Sequence, residues 1–244
     1  KVSGSFLNQA ILSAMKRYPY FNTKLVEKDG DFYIVQNDIS LVAKRKKDLY
    51  PLRGMSCGYH LADITYYDCS VYISFHHALC DGRGIKPFAE TLIYYYCNLR
   101  YHVPTPPDGV HLAEEPLLPG ETIDPFAQTY PYDESKEFPS FSRDGFAITE
   151  QDEPDRETDY RYEVTIPHKD FMDVCRANNA SPVILLALLM NQGLAKLYPD
   201  YDKPIHANIA ADMREALDVP NTFKNCVGTM LLPYDRQFSS LPLK

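Results

Sequence analysis

The sequence predicts a mixed α/β protein, on three observations. First, apolar residues recur with helical spacing between Ser5 and Tyr18. Second, apolar and polar residues alternate between Cys69 and Phe75, as they do in a strand with one buried face. Third, 45% hydrophobic and 24% charged residues among 244 are the proportions of an ordinary globular domain, so extensive disorder and coiled coil are excluded.

The first third of the chain reads as a helix, two hairpins and a second helix. Pro19 ends the first helix, and Asp29-Gly30 is a turn signal between two strands. The predicted elements are a helix over 5–18, strands over 21–27, 31–36, 61–66 and 69–75, and a helix over 84–99.

The middle of the chain differs in composition. Between Arg100 and Tyr160, 15 acidic residues oppose 4 basic ones and nine prolines occur, so we expect a surface crossing rather than a sheet or a long helix. The aromatic residues expected to order it are Phe126, Tyr130, Tyr132, Phe138 and Phe141.

Regular patterning returns after this crossing. Ser181 and Pro182 are typical of the cap and first residue of a helix. The predicted elements are strands over 160–166, 204–211 and 227–232, and helices over 168–177 and 182–197. The predicted domains are therefore 1–99, the acidic crossing 100–159, and 160–244.

Charge and apolar runs exclude two classes of partner. The net charge of −8 argues against nucleic acid, which needs a basic surface. No run of 18 apolar residues is present, so no membrane span is expected. The six cysteines lack C-x-x-C spacing, so no zinc site is expected. Their even number would allow disulfides, but in a chain of this size without a secretory signal we expect reduced thiols and a cytoplasmic protein.

The most informative segment is His76-His77-Ala78-Leu79-Cys80-Asp81-Gly82. Successive side chains of a strand point to opposite faces, so only one of the two histidines can face a given cleft. For the same reason we expect no metal site from His76, His77 and Asp81. A glycine at position 82 permits a positive φ or a close approach to a ligand.

This H-H-x-x-x-D-G pattern resembles the signature of the CoA-dependent acyltransferase superfamily. The superfamily includes chloramphenicol acetyltransferase, the condensation domains of peptide synthetases, alcohol acetyltransferases and the plant BAHD-type enzymes. Residues 10–21 look like the family's first helix and the turn that follows it, and residues 209–214 with 225–228 look like the start of its second lobe. The position of the pattern is most similar to the condensation and alcohol acetyltransferase branches.

The resemblance implies a two-lobed, chloramphenicol-acetyltransferase-like sandwich, here the N-terminal lobe and the start of the second. It also implies acyl transfer from a thioester, either acyl-CoA or carrier-bound, to an alcohol or amine, with no bound cofactor. Family members are longer, and the D-F-G-W-G-like segment and tryptophan are missing here, so we expect part of a longer enzyme. A condensation-type domain and a catalytically silent binding module are the alternatives. A carrier protein and a second copy of the chain remain open as partners.

The resemblance also assigns roles to individual residues. His77 would be the general base, with His76 supporting its loop. Asp81 would hold that loop through an ion pair with Arg214 or, as a second choice, Lys24. Gly82 would keep the channel open. Asp212 is either a brace beside Arg214 or a surface ion pair, and Asn225 is either a channel-lining amide or a turn residue.

Overall fold

The computed structural model describes residues 1–127, 144–147 and 163–240, and the chain is a mixed α/β protein, as predicted. Phe126 is exposed, whereas the other four aromatic residues predicted to order the acidic crossing lie outside the described residues. The chain divides into two compact units, Lys1–Tyr130 with Asp212–Val227, and Pro131–Ala211 with Gly228–Lys244.

Within its described residues the first unit contains two α-helices and five strands, and it follows the predicted order closely. Its elements are α1 (Gly4–Arg17), β1 (Thr23–Lys28), β2 (Asp31–Gln36), β3 (Lys44–Arg45), β4 (Ala62–Tyr67), β5 (Ser70–Phe75) and α2 (Gly82–Tyr101). β1 and β2 form an antiparallel hairpin whose turn residues Asp29 and Gly30 both have positive φ, as a tight hairpin turn requires. β3, which was not predicted, runs parallel to β4, and β4 runs antiparallel to β5.

The core of the first unit lies between its two helices and one face of the three-stranded sheet formed by β3, β4 and β5. Tyr18, Phe21, Phe88 and Phe223 are fully buried or nearly so, and their ring centroids lie 5.1–6.4 Å apart. Phe223 comes from far along the chain, so its burial ties residues 212–227 to the N-terminal elements.

The second unit contains α3 (His168–Ala177), α4 (Pro182–Leu197) and all but one end residue each of β6 (Ile205–Asp212) and β7 (Val227–Tyr234). β6 and β7 pair with each other, which confirms both predicted strands. Ser181 Oγ accepts the Ile184 N–H at 3.4 Å, as the predicted helix cap requires. Tyr201, Ile205 and Tyr234 form a small buried cluster.

The strand predicted over 160–166 is wrong in its described part. Residues 163–167 are irregular, and Val164 is 83% exposed. An alternating segment forms a strand only when another strand pairs with it, and none of the described strands does. Residues 160–162 lie outside the described residues.

Among the described residues, no single helix is long and apolar enough to cross a membrane. α3 and α4 reach that length and composition only as a pair, with a bend of 85° between them.

Candidate active site

Asp81 is buried at the start of α2 and is the centre of the site. Its side chain caps the helix, because Oδ1 accepts the Gly84 N–H at 2.7 Å. Oδ2 accepts the Cys226 N–H at 2.8 Å. This cap explains why α2 begins at Gly82, two residues before the predicted start.

Arg214 is the partner of Asp81 and forms a two-bond ion pair with it. Nη1 donates to Oδ2 and Nη2 donates to Oδ1, both at 2.9 Å. The other guanidinium bonds are to the carbonyls of Thr222 and Lys224 and to the carboxylate of Asp212. All five N–H groups of this side chain, which is only 1% exposed, thus have an acceptor.

Asp212 lies at the outer edge of this ion pair. Its Oδ1 accepts both the Arg214 N–H and Arg214 Nη1, and its Oδ2 accepts from Arg83. Asp212 is exposed and its contacts combine the two predictions, since it braces Arg214 and also forms a surface ion pair with Arg83. Lys24, the second choice for Asp81, instead pairs with Asp38.

The ionisation of Asp81 follows from its surroundings. Burial acts to raise the pKa of the carboxyl, but the hydrogen bonds from Arg214, Cys226 and Gly84 outweigh burial and lower the pKa below its ordinary value. Asp81 is therefore the carboxylate partner of a buried ion pair, and it stays charged at neutral pH.

We expect the folded chain to lose stability in acid through Asp81. Because the pKa of Asp81 is lower in the folded than in the unfolded state, the stabilisation is complete above the unfolded value of about 3.9 and is lost as the pH falls through the folded value. The measurement is guanidinium unfolding at about pH 5 and about pH 3. Asp81→Asn should lose less stability than the wild type between these two pH values, and an equal loss would contradict the assignment.

His76 organises the turn that follows β5. Its N–H donates to the Leu61 carbonyl at 2.8 Å, and its own carbonyl accepts the Leu79 N–H at 2.8 Å. Its Nδ1 accepts the Ala78 N–H at 3.1 Å, so in the neutral ring the proton sits on Nε2. These contacts are those of a residue that supports the loop.

His77 lies in the same turn and is exposed to solvent. Its ring lies 6.1 Å from the ring of Phe75, centroid to centroid, at an interplanar angle of 57°. Because the strand ends at Phe75, His77 stands free of the sheet, where a small molecule can reach its nitrogens.

The thiols near the carboxylate are poor nucleophiles. Burial, together with the charge of Asp81, raises the pKa of Cys80 to about 12, and burial also raises the pKa of Cys226. Both thiols are therefore protonated at neutral pH. All six cysteines are free.

Gly82 borders open space, so its role in keeping a channel open stays a prediction, whereas Gly84 makes a close backbone contact. A Cβ at Gly82 would meet nothing within 4 Å, and its φ is an ordinary negative one. A Cβ at Gly84 would lie 2.8 Å from the carbonyl carbon of Phe223 and closer still to its oxygen. Gly84 therefore lets the helix start pack directly against the segment that carries Arg214.

Gly84→Ala should lower the free energy of unfolding by about 1–3 kcal/mol, because the methyl group forces a backbone shift. Gly82→Ala is the matched control, since its methyl group points into open space, and should change stability by no more than about 0.5 kcal/mol. Thermal unfolding of both variants measures the difference. Equal losses would mean that the packing against Phe223 is not tight.

Asn225 is half-buried, and its Oδ1 accepts the Val227 N–H at 3.3 Å. This contact is that of a turn residue. Among the described residues, no group of three or more His, Cys, Asp or Glu side chains is placed to hold a metal ion.

Sequence reasoning missed Gly84 and Arg83. Gly84 follows Gly82 so closely that the two could not be ranked without the position of Phe223. Arg83 carries no sequence signal, since its contact with Asp212 joins residues 129 positions apart.

The chain has a distant structural neighbour but no matching family model. No family model matches the chain, and no curated protein matches it. Among solved structures, the chain is similar to the SgcC5 protein from Streptomyces globisporus, with a TM-score of 0.47 and 14% sequence identity. The similarity covers 96% of this chain and 59% of that protein, so the chain spans less than two thirds of its length.

Proposed function

We propose that the chain carries the general-base half of an acyltransferase, which moves an acyl group from a thioester to an alcohol or amine. The observation that carries the proposal is the exposed His77, which lies four residues before a carboxylate held by a buried arginine. An exposed imidazole on a rigidly supported turn is suited to accept a proton from a bound nucleophile.

The proposed reaction needs no covalent bond to the protein. An unprotonated nitrogen of His77 takes the proton of the acceptor hydroxyl or amine, and the freed oxygen or nitrogen attacks the thioester carbonyl carbon. The new C–O or C–N bond forms, the C–S bond breaks, and the leaving thiolate takes up the proton from the imidazolium. Because thiols are more acidic than alcohols, the thiolate is the better leaving group.

Three residues have structural roles in this proposal and take no part in bond making or proton transfer. They are Asp81, Arg214 and His76. Asp81 joins the start of α2 to the 212–226 segment, and His76 supports the turn between β5 and α2. The turn that presents His77 is thus held at both ends. Proximity and orientation of this kind account for a large part of the rate in acyl transfer.

The proposal also includes the detailed fold and the acyl donor that the family resemblance implies. They are the two-lobed sandwich and acyl-CoA or a carrier-bound thioester as donor. A cytoplasmic location is proposed in addition, from the cysteines. The six free cysteines support a reducing compartment.

Release of free thiol from acetyl-CoA, in the presence of a small alcohol or amine, tests the proposal. In the full-length protein that carries this chain, the wild type should release thiol faster than His77→Ala. Equal rates at saturating substrate would overturn it.

A silent binding module is the second candidate, and one observation favours it. A general base is usually oriented by a third group, and the Phe75 ring, the one aromatic contact of the His77 ring among the described residues, cannot accept a hydrogen bond as a carboxylate does. Acetyl-CoA binding with no thiol release by the wild type would select this candidate.

A further inference from the structure

The turn that carries His77 is held in its middle as well as at its ends. Tyr20, which follows α1, donates its hydroxyl proton to the Leu79 carbonyl at 2.6 Å. The Leu79 N–H donates to the His76 carbonyl at 2.8 Å, so both backbone groups of Leu79 are bonded. Leu79 is fully buried, whereas His77 and Ala78 are exposed. The exposed part of the turn is therefore followed directly by a residue that is fixed on both sides.

The Tyr20 hydroxyl is suited to this contact. Burial raises the pKa of Tyr20 above its ordinary value, so the hydroxyl keeps its proton at neutral pH and acts as a donor. A phenylalanine would fill almost the same volume, but it would supply no hydrogen bond. A buried carbonyl without a donor is destabilising, so removal of this hydroxyl alone should loosen the turn.

Aromatic contacts fix the Tyr20 side chain. Its ring lies 5.3 Å from the ring of Phe21 and 6.2 Å from the ring of Phe223, centroid to centroid. Both neighbours are buried in the core of the first unit, and Tyr20 itself is half-buried. The core therefore sets the orientation of the ring that holds the Leu79 carbonyl.

A second buried ion pair fixes the end of α1, three residues before Tyr20. Arg17 Nη1 and Nη2 donate to Glu121 Oε2 and Oε1 at 2.9 and 2.7 Å, and both side chains are almost completely buried. The Glu121 carbonyl accepts the Phe223 N–H at 2.7 Å. This pair therefore ties the end of α1 to the segment that carries Arg214.

We propose that Tyr20 is a positioning residue for His77, because its hydroxyl fixes the middle of the turn that presents the imidazole. This inference rests on the proposed acyl transfer and adds a third anchor to the two ends of the turn. Tyr20 touches no reacting atom in that reaction. It acts through Leu79, two residues after His77, and limits the positions that the imidazole takes toward the bound nucleophile. Orientation of this kind contributes to the chemical step rather than to substrate binding.

Tyr20→Phe in the full-length protein that carries this chain tests the assignment, since it removes the hydroxyl and keeps the ring. Amide hydrogen exchange reports on the turn without relying on turnover. The Leu79 N–H should exchange about tenfold faster, the change expected for the loss of one hydrogen bond. The Asn37 N–H, bonded to the Asn22 carbonyl outside the turn, should keep its wild-type rate. In thiol release from acetyl-CoA, kcat should fall about tenfold or more while KM for acetyl-CoA stays unchanged.

Tyr18→Phe is the matched control. Tyr18 lies two residues away and is fully buried, but within the described part of the chain its hydroxyl has no hydrogen-bond partner. Its removal breaks no bond, so Leu79 exchange, kcat and KM should all match the wild type. The two variants lose the same group at neighbouring positions, which separates the bond to Leu79 from the general packing of the core.

Wild-type Leu79 exchange in Tyr20→Phe would overturn the proposal, and so would a wild-type kcat or an equal effect of Tyr18→Phe. Failure of the proposed function is distinguished by His77→Ala. Faster Leu79 exchange in Tyr20→Phe, together with equal thiol release by wild type and His77→Ala, would retain the Tyr20 anchor and reject the acyl transfer. Wild-type Leu79 exchange in Tyr20→Phe together with His77-dependent thiol release would do the reverse.

Discussion

Arg214→Met should lower the free energy of unfolding by about 3–5 kcal/mol, the loss typical of removing one partner from a buried ion pair. The substitution leaves the carboxylate of Asp81 buried with only its two backbone donors, and it leaves the carbonyls of Thr222 and Lys224 without theirs. Guanidinium unfolding followed by circular dichroism measures the change.

Arg83→Met is the matched control for this prediction. The Arg83 side chain is 52% exposed and pairs with the outer oxygen of Asp212, so its removal should change stability by no more than about 1 kcal/mol. Asp81→Leu combined with Arg214→Met should be less damaging than the sum of the two single changes, because no unpaired charge is left buried. A loss below about 1 kcal/mol for Arg214→Met alone would mean that the ion pair does not hold the segment in place.

His77→Ala should reduce thiol release from acetyl-CoA by about 10²–10⁴-fold, the usual contribution of a general base. The free energy of unfolding should stay within about 0.5 kcal/mol of the wild type, because the His77 side chain is exposed. The rate and the stability are therefore expected to separate at this position.

Imidazole added to His77→Ala should restore part of the lost rate, since the position is open to solvent. His168→Ala, at another exposed histidine, should change neither rate nor stability. His76→Ala should destabilise the turn, because the Ala78 N–H loses its acceptor. Full activity in His77→Ala, or no response to imidazole in an inactive and folded variant, would contradict the role of His77 as base.

These expectations share a physical origin in the turn between β5 and α2. The strand ends at Phe75, the helix begins at Gly82, and six residues connect them. Such a short connection positions His77 well only if both of its ends are fixed. The core face of β5 fixes one end, and the Asp81–Arg214 ion pair fixes the other.

Local features of the sequence determined most of the elements by themselves. The apolar spacing of α1, the alternation of β5 and the Ser181-Pro182 start of α4 each depend on neighbouring residues, so they could be predicted from short windows. The H-H-x-x-x-D-G pattern likewise marked His77 and Asp81 before any coordinates, and its resemblance to a family suggested Arg214 as a partner.

Only the tertiary structure decided which distant residues meet. It selected Arg214 over Lys24 across 133 positions and placed the backbone of Phe223 against Gly84. It also left residues 163–166 outside any sheet. The physical reason is that a local pattern encodes which face of an element is apolar, whereas the partner of a buried charge or of an unpaired strand is set by packing between segments far apart in the chain.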